Sequence, residues 1–257
     1  MSRERPVASI VIPIYNEQEI LRTAVEKMVR ELDAPPADFD YEILLCENGS
    51  KDKTPEIGAD LAREYPTVRL LRCPAPDYGE ALRLGILEAR GEYVLCDEID
   101  LCDVEFHRRA LRMLRTSGAE MVIGSKALGE SHDNRPPMRR FATKMLNGLL
   151  WVAVGFTGTD THGLKTFNRA KLLDIVHACE LRKDLFASEL VIRASRARLD
   201  VREIPIDLHE IRPPSISLYK RVPKVLKDLL RLIYLIRFKS GRILPPARRP
   251  TDPKDNP

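Results

Sequence analysis

Paired cysteines, long uninterrupted apolar runs and a recognisable catalytic histidine are all missing from this sequence. Its 257 residues include five cysteines, Cys46, Cys73, Cys96, Cys102 and Cys179, with no C-x-x-C pair among them. An odd count without that pair excludes a disulfide scaffold and argues against a structural zinc module. Cys46 and Cys96 sit inside apolar runs and read as small buried hydrophobes. Cys96, Cys102 and His107 together match no common zinc spacing. The opening Met-Ser-Arg-Glu-Arg-Pro carries no apolar signal-peptide core, so a reducing, cytoplasmic setting is expected. The apolar stretch near the C-terminus is interrupted by Lys227, Asp228 and Arg231, too often for a transmembrane span. None of His107, His132, His162, His177 or His209 stands in a triad-like context. No basic-aromatic motif marks a nucleic-acid surface, and nucleic acid is not an expected partner. There is no internal repeat.

What is present is the balance of a folded soluble chain, with 44% hydrophobic and 31% charged residues. The length permits one large α/β domain or two small ones. The net charge of +4 hides an asymmetry. From Arg212 to the end, twelve basic residues face three acidic ones, a net of +9, which leaves −5 on the rest. A basic tail on a mildly acidic body suits an anionic surface.

Strand and helix patterns alternate through the first half. Ala8–Ile14, Tyr41–Cys46, Val68–Arg72, Tyr93–Cys96 and Met121–Gly124 are short apolar runs that predict strands. Between them, helical spacing predicts helices that start near Asn16, Thr54, Gly79 and Val104, with Asn16 as an N-cap and Glu19 as its capping-box partner. Repeated β-α-β units predict a mostly parallel sheet with helices on both faces. Ligands of such sheets bind beyond the carboxyl ends of the strands. Polar clusters follow the strands there: Tyr15-Asn16-Glu17, Glu47-Asn48-Gly49-Ser50, Asp77-Tyr78-Gly79 and Asp97-Glu98-Ile99-Asp100. The second half is less regular. It predicts a helix over Arg139–Val154, a strand over Leu164–Phe167, a helix from Arg169, another over Leu185–Ala197 and a strand over Val201–Ile206.

Four of these segments, in this order, resemble the family 2 glycosyltransferases. Ile10–Glu17 (IVIPIYNE) is similar to the family's V-x-P-x-Y-N-E opening, and Glu47–Thr54 (ENGSKDKT) to its D-D-G-S-x-D-x-T. Tyr78–Asp100 follows its glycine and alanine spacing up to D-A-D. Asp160–Arg169 (DTHGLKTFNR), followed by Pro205-Ile206, resembles the dolichol-phosphate mannosyltransferase-like branch, whose members glycosylate polyprenyl phosphates. The likeness covers about residues 7 to 240. It implies a GT-A, Rossmann-like α/β fold with a C-terminal amphipathic helix. The implied division is a glycosyltransferase domain over 1–211, with a nucleotide half at 1–125 and a sugar and acceptor half at 126–211. A basic membrane-proximal segment at 212–240 and a disordered tail at 241–257 follow.

The resemblance also implies roles. Pro13, Tyr15, Asn16, Glu17, Glu47, Asn48, Gly79 and Glu98 fall on the nucleotide-binding positions. Glu98 and Asp100 stand where the family holds Mg²⁺ or Mn²⁺ against the diphosphate, and a divalent cation suits the charge that develops on a leaving nucleoside diphosphate. Alignment on Asp100-Leu101 makes Glu98, not Asp97, the first carboxylate, giving E-x-D. Cys102 occupies a position where the branch often has Gln, and Asp103 is an adjacent oxygen donor. Asp100, Lys126, Lys165, Glu189 and Arg212 are the implied catalytic set, with the cations stabilising the leaving diphosphate or docking an acceptor phosphate. Glu47-Asn48 replaces Asp-Asp, and both Lys126 and Lys165 replace Arg. A salt bridge to Arg193 is the alternative reading of Glu189. Ser50 and Asp52 read first as turn residues.

Tyr219–Lys239 carries Lys220, Lys224, Lys227 and Arg231 at helical spacing, with Val222, Val225, Leu226, Leu229, Leu232, Ile233 and Ile236 opposite. This fits a helix in a membrane interface, or one packed on the domain. The leading expectation is an enzyme at the inner face of a membrane. It moves a hexose, with inversion, from a GDP- or UDP-sugar to a polyprenyl phosphate. A carbohydrate hydroxyl acceptor and a non-catalytic nucleotide-sugar-binding module are the alternatives.

Overall fold

The structure is a computed structural model. It describes residues 5–35, 39–73, 76–125, 148, 152–156, 158, 161, 163–183, 185–206, 227 and 229–239. Seven strands form one sheet: β1 (Ala8–Ile14), β2 (Tyr41–Glu47), β3 (Val68–Arg72), β4 (Tyr93–Cys96), β5 (Met121–Ser125), β6 (Lys165–Asn168) and β7 (Val201–Pro205). Their order is β3-β2-β1-β4-β6-β5-β7. Pairs β1·β2, β1·β4, β2·β3 and β5·β7 are parallel, whereas β6 runs antiparallel to both β4 and β5. The sheet order therefore reverses around β1 and β4, which opens a crevice at their carboxyl ends.

Helices among the described residues between these strands include α1 (Leu21–Asp33), α2 (Thr54–Glu64), α3 (Tyr78–Glu88), α4 (Val104–Thr116), α5 (Arg169–Ala178) and α6 (Leu185–Arg196). Every residue of β1 is buried, because helices cover both faces of the sheet. One face packs Val11, Leu44, Val94 and Phe167 against α3, α5 and α6. The other packs Ile10, Ile12, Leu45 and Leu95 against α1 and α4. The alternation of Ile10, Val11 and Ile12 between the two cores is the strand's two-residue period.

The amino ends of the first strands are tied together by a buried carboxylate. Glu42 Oε1 accepts from Ser9 Oγ at 2.7 Å and from the Arg90 amide at 2.7 Å, and Oε2 accepts from Arg69 Nη1 at 2.7 Å. Ser9 Oγ also accepts from the Gly91 amide at 2.8 Å. Together these side chains link β1, β2, β3 and the turn into β4 at the edge opposite the crevice.

Two local expectations change. Helix α1 begins at Leu21 behind Ile20, with no side-chain cap; Asn16 instead stands four residues upstream at φ +54°. The amide of Leu21 is satisfied by the Glu17 carbonyl at 2.9 Å, so the backbone turn does the work assigned to a capping box. The second change concerns the C-terminal helix. Residues 229–234 are helical and pass into a π-helical turn, Leu235–Lys239. Leu229, Leu232 and Ile236, on the face offered to lipid by the sequence pattern, are buried in the same apolar core as Val154 and Phe156. Apolar periodicity reports that a face is buried, not which apolar phase buries it. Val222, Val225 and Leu226 lie outside the described residues, as does nearly all of Arg139–Val154. Among the described residues no helix is long and apolar enough to cross a membrane.

Candidate active site

The loops after β1 and β2 build one wall of the crevice by bonding to each other. The Asn16 amide donates to Ser50 Oγ at 3.0 Å, and Asn16 Oδ1 accepts from the Lys51 amide at 2.8 Å. The Glu17 amide donates to Thr54 Oγ1 at 2.7 Å, and the Gln18 amide to Asp52 Oδ2 at 3.2 Å. Gln18 Oε1 accepts from the Lys53 amide at 3.1 Å. Asn is among the few residues that adopt a positive φ at low cost, so its place here follows from the bend as well as its amide. Ser50 and Asp52 therefore fasten one loop to the other, beyond the turn role read from sequence. Asp52 is held below the usual carboxylate range; desolvation opposes that shift, but hydrogen bonds from Thr54 and Gln18 outweigh it. Pro13 is buried at the end of β1, while Tyr15 keeps 41% of its surface exposed and can offer a ring face.

Glu47 and Asn48, both buried, lie at the end of β2. Glu47 Oε1 accepts from the Ser50 amide at 2.5 Å, which closes the Gly49 turn, where φ is +74°. Asn48 Oδ1 accepts from the Asp77 amide at 2.5 Å. Asp77 caps α3 through the Glu80 amide at 3.0 Å, and the same Oδ1 accepts from the Lys183 amide at 2.7 Å. Of the expected nucleotide-side residues, Asn16, Glu17, Glu47 and Asn48 are joined by amide-to-side-chain bonds across the loops after β1, β2 and β3. Gly79 is buried directly behind them. A Cβ there would lie 2.3 Å from the Lys183 carbonyl oxygen, so glycine is required by the close approach of α3 to the segment before α6.

At the end of β4 the four acidic residues separate by environment. Asp97 is buried; its Oδ1 accepts from the Glu98 amide at 2.7 Å, and its Oδ2 lies 2.7 Å from Nε2 of the fully buried His107. His107 Nδ1 lies 3.3 Å from Thr166 Oγ1 on β6. Sequence reading missed this chain of side chains. Asp97 and His107 are ten residues apart, and only the turn that sends α4 back under β4 joins them. Glu98 is half-buried and Asp100 is exposed, so these two, unlike Asp97, reach solvent just beyond the carboxyl end of β4. Asp103 accepts from the Phe106 amide at 2.8 Å as the cap of α4, which commits one of its oxygens locally. Cys102 is buried with its sulfur 3.4 Å from the Ile99 carbonyl, and burial pushes its thiol up, away from a thiolate ligand.

Two carboxylates on one turn are hard oxygen donors and fit a hard divalent cation. Among the described residues no three His, Cys, Asp or Glu gather around a metal position, so a Mg²⁺ or Mn²⁺ held by Glu98 and Asp100 would take its other ligands from substrate and water. When bound, such a cation neutralises charge on a diphosphate. Lys165 sits across from Cys96 in the β4–β6 pair, at the same edge. It is buried, and its Nζ donates to the Gly163 carbonyl at 2.6 Å. The loop before it is pinned where Thr161 Oγ1 meets Ser188 Oγ of α6 at 2.9 Å.

Glu189 is wholly buried. Its Oε2 accepts from the Glu180 and Leu181 amides at 3.0 and 2.7 Å, and Oε1 accepts from Arg193 Nε at 2.7 Å. Both oxygens are engaged in joining α5 to α6, the salt-bridge alternative for this residue. Lys126, Asp160, His162 and Arg212 lie outside the described residues.

A mostly parallel sheet with an acidic turn and a lysine at the carboxyl edge of its central strands is the arrangement of a GT-A glycosyltransferase. The fold is shared with glucosyl-3-phosphoglycerate synthase from Mycobacterium tuberculosis, solved in complex with Mn²⁺, uridine diphosphate and phosphoglyceric acid. That match has a TM-score of 0.62 at 18% identity and covers 89% of this chain and 78% of that one. The chain belongs to glycosyl transferase family 2, whose model matches residues 9–176. It is 29% identical over 246 residues to a dolichyl-phosphate beta-glucosyltransferase of Trichomonas vaginalis, covering 91% of this chain and 75% of the relative. The dolichyl-phosphate beta-glucosyltransferase of Saccharomyces cerevisiae is 28% identical over 251 residues, covering 89% and 75%.

Proposed function

We propose that this hexosyltransferase moves glucose from a nucleotide diphosphate, UDP in the first instance, to a polyprenyl phosphate with inversion. The observation that carries the reading is the state of Glu189: the carboxylate expected near the acceptor is buried and spent on Arg193 and two amides. A hydroxyl acceptor needs a base to take its proton, whereas a phosphate acceptor is already an anion at neutral pH. Positioning and leaving-group stabilisation then suffice. In this reading Lys165 offsets charge on the departing diphosphate, beside a Mg²⁺ or Mn²⁺ held by Glu98 and Asp100. Tyr15, Asn16, Glu17, Glu47 and Asn48 form the nucleoside wall. Lys126 and Arg212 complete the cationic set, Arg212 on the acceptor phosphate. The names of the relatives support the lipid acceptor, and the Mn²⁺ and UDP of the mycobacterial enzyme support the donor and cation.

Membrane attachment belongs to the same reading, through a different face of the C-terminal helix from the one the sequence suggested. Leu230, Tyr234 and Phe238 are 60%, 59% and 76% exposed, four residues apart along one side. Lys227, Arg231 and Arg237 flank them, and Arg237 Nε donates to the Ala153 carbonyl at 2.6 Å, which brings the exposed Val152 alongside. Apolar anchors among basic residues suit an anionic bilayer surface.

Product analysis tests the proposal. Purified protein with labelled UDP-glucose, Mn²⁺ and a polyprenyl phosphate should give label in the organic phase, and Arg212→Ala should lose most of it. Label found only in free glycan or water would instead favour a hydroxyl acceptor.

A further inference from the structure

We infer that His107 is a positioning residue for the metal-binding turn, acting through Asp97 to hold Glu98 and Asp100 in the orientation that receives a cation and diphosphate. The inference rests on the proposed role of Glu98 and Asp100. The turn is fixed at Glu98 from both sides of the residue. Its amide donates to Asp97 Oδ1 at 2.7 Å, and its carbonyl accepts from the Leu101 and Cys102 amides at 2.9 and 3.1 Å. The backbone closes that second contact, and Cys102 takes φ +47° to do so. The first depends on a side chain that can rotate about two bonds unless its other oxygen is also held.

His107 supplies that hold. As a carboxylate Asp97 only accepts, so Nε2 carries the hydrogen at 2.7 Å, and a neutral ring leaves Nδ1 to accept from the Thr166 hydroxyl at 3.3 Å. Both His107 and the Asp97 side chain are fully shielded from water. A satisfied buried polar pair is weak ground for stability, since apolar groups of equal volume often serve as well. What the pair supplies is direction. It links the first turn of α4 to the end of β4, and through Thr166 to β6, where the neighbouring residue is Lys165. One chain of contacts therefore sets the cation's carboxylates and the lysine relative to each other. Hydrogen-bonded partners of metal-ligating groups typically change metal affinity by about 10–100-fold when removed.

The test is titration calorimetry of Mn²⁺ into the UDP-bound protein, at a temperature where circular dichroism shows each variant folded. His107→Leu should weaken Mn²⁺ binding about tenfold or more, with UDP affinity in EDTA unchanged. His107→Gln, whose terminal amide nitrogen can reach Asp97, should stay near wild type. Thr166→Val, which frees only the far side of the ring, should fall between them and carries the test if His107→Leu does not fold. Mn²⁺ affinity within twofold of wild type in both His107→Leu and Thr166→Val would overturn the inference, as would equal losses in the Leu and Gln variants, which would assign the effect to packing. If wild type itself binds UDP equally with EDTA and with Mn²⁺, the metal reading fails first, and this positioning role with it.

Discussion

Asp97, Glu98, Asp100 and Asp103 lie within seven residues, yet each is set apart by its surroundings. Asp97 faces inward to His107, Asp103 caps a helix, Glu98 is half-buried and Asp100 is exposed. Because Asp100 is exposed, Asp100→Ala should leave thermal stability within about 0.5 kcal/mol of wild type. It should abolish the gain in UDP affinity on adding Mn²⁺, as read by calorimetry with and without EDTA. Glu189 behaves oppositely. Glu189→Gln leaves Arg193, only 7% exposed, without its counter-charge, and should cost about 3 kcal/mol in urea unfolding. Turnover per folded molecule should survive if no carboxylate acts as base there; a loss of a hundredfold or more at full folding would restore Glu189 as a base.

Among the elements, α3 shows how packing and site share one residue. Gly79 permits the Lys183 backbone to approach, and that approach lets Asp77 cap α3 and hold the Lys183 amide together. Gly79→Ala should therefore destabilise by about 1–3 kcal/mol and weaken nucleotide binding in the folded fraction, checked by urea titration and UDP calorimetry. The strands and helices of the first half were legible because their periods are clean: Ala8–Ile14, Val68–Arg72, Tyr93–Cys96 and Val104–Thr116 fall where the patterns put them. A buried Asp97 beside a half-buried Glu98 and an exposed Asp100 is consistent with the E-x-D reading, which the Mn²⁺ titration tests. Three features were not legible. Asn16 carries the composition of a cap but serves a loop-to-loop bond, and local sequence does not distinguish the two. The Asp97–His107 contact depends on how α4 folds back, which no spacing rule encodes. The apolar stripe of the C-terminal helix fits core and lipid equally well on paper; only the buried positions of Leu232 and Ile236 decide.

For the molecule as a whole, the proposed membrane contact rests on the exposed Leu230, Tyr234 and Phe238. Tyr234→Ala combined with Phe238→Ala should reduce binding to anionic vesicles severalfold with melting temperature unchanged, since neither ring is in the core. Residual binding should fall as salt rises. Equal vesicle binding by wild type and double variant would place attachment elsewhere. The knot of Ser9, Glu42, Arg69 and Arg90 has a consequence for how the molecule moves. It binds the sheet along one margin as stitching binds a book, whereas the loops of the opposite margin are joined at an exposed rim by bonds between side chains and amides. In hydrogen exchange, the amides of Arg90 and Gly91 should be slow with or without UDP and Mn²⁺, while those of Lys51 and Lys53, bonded to side chains at the exposed rim, should exchange faster and slow further when ligand binds.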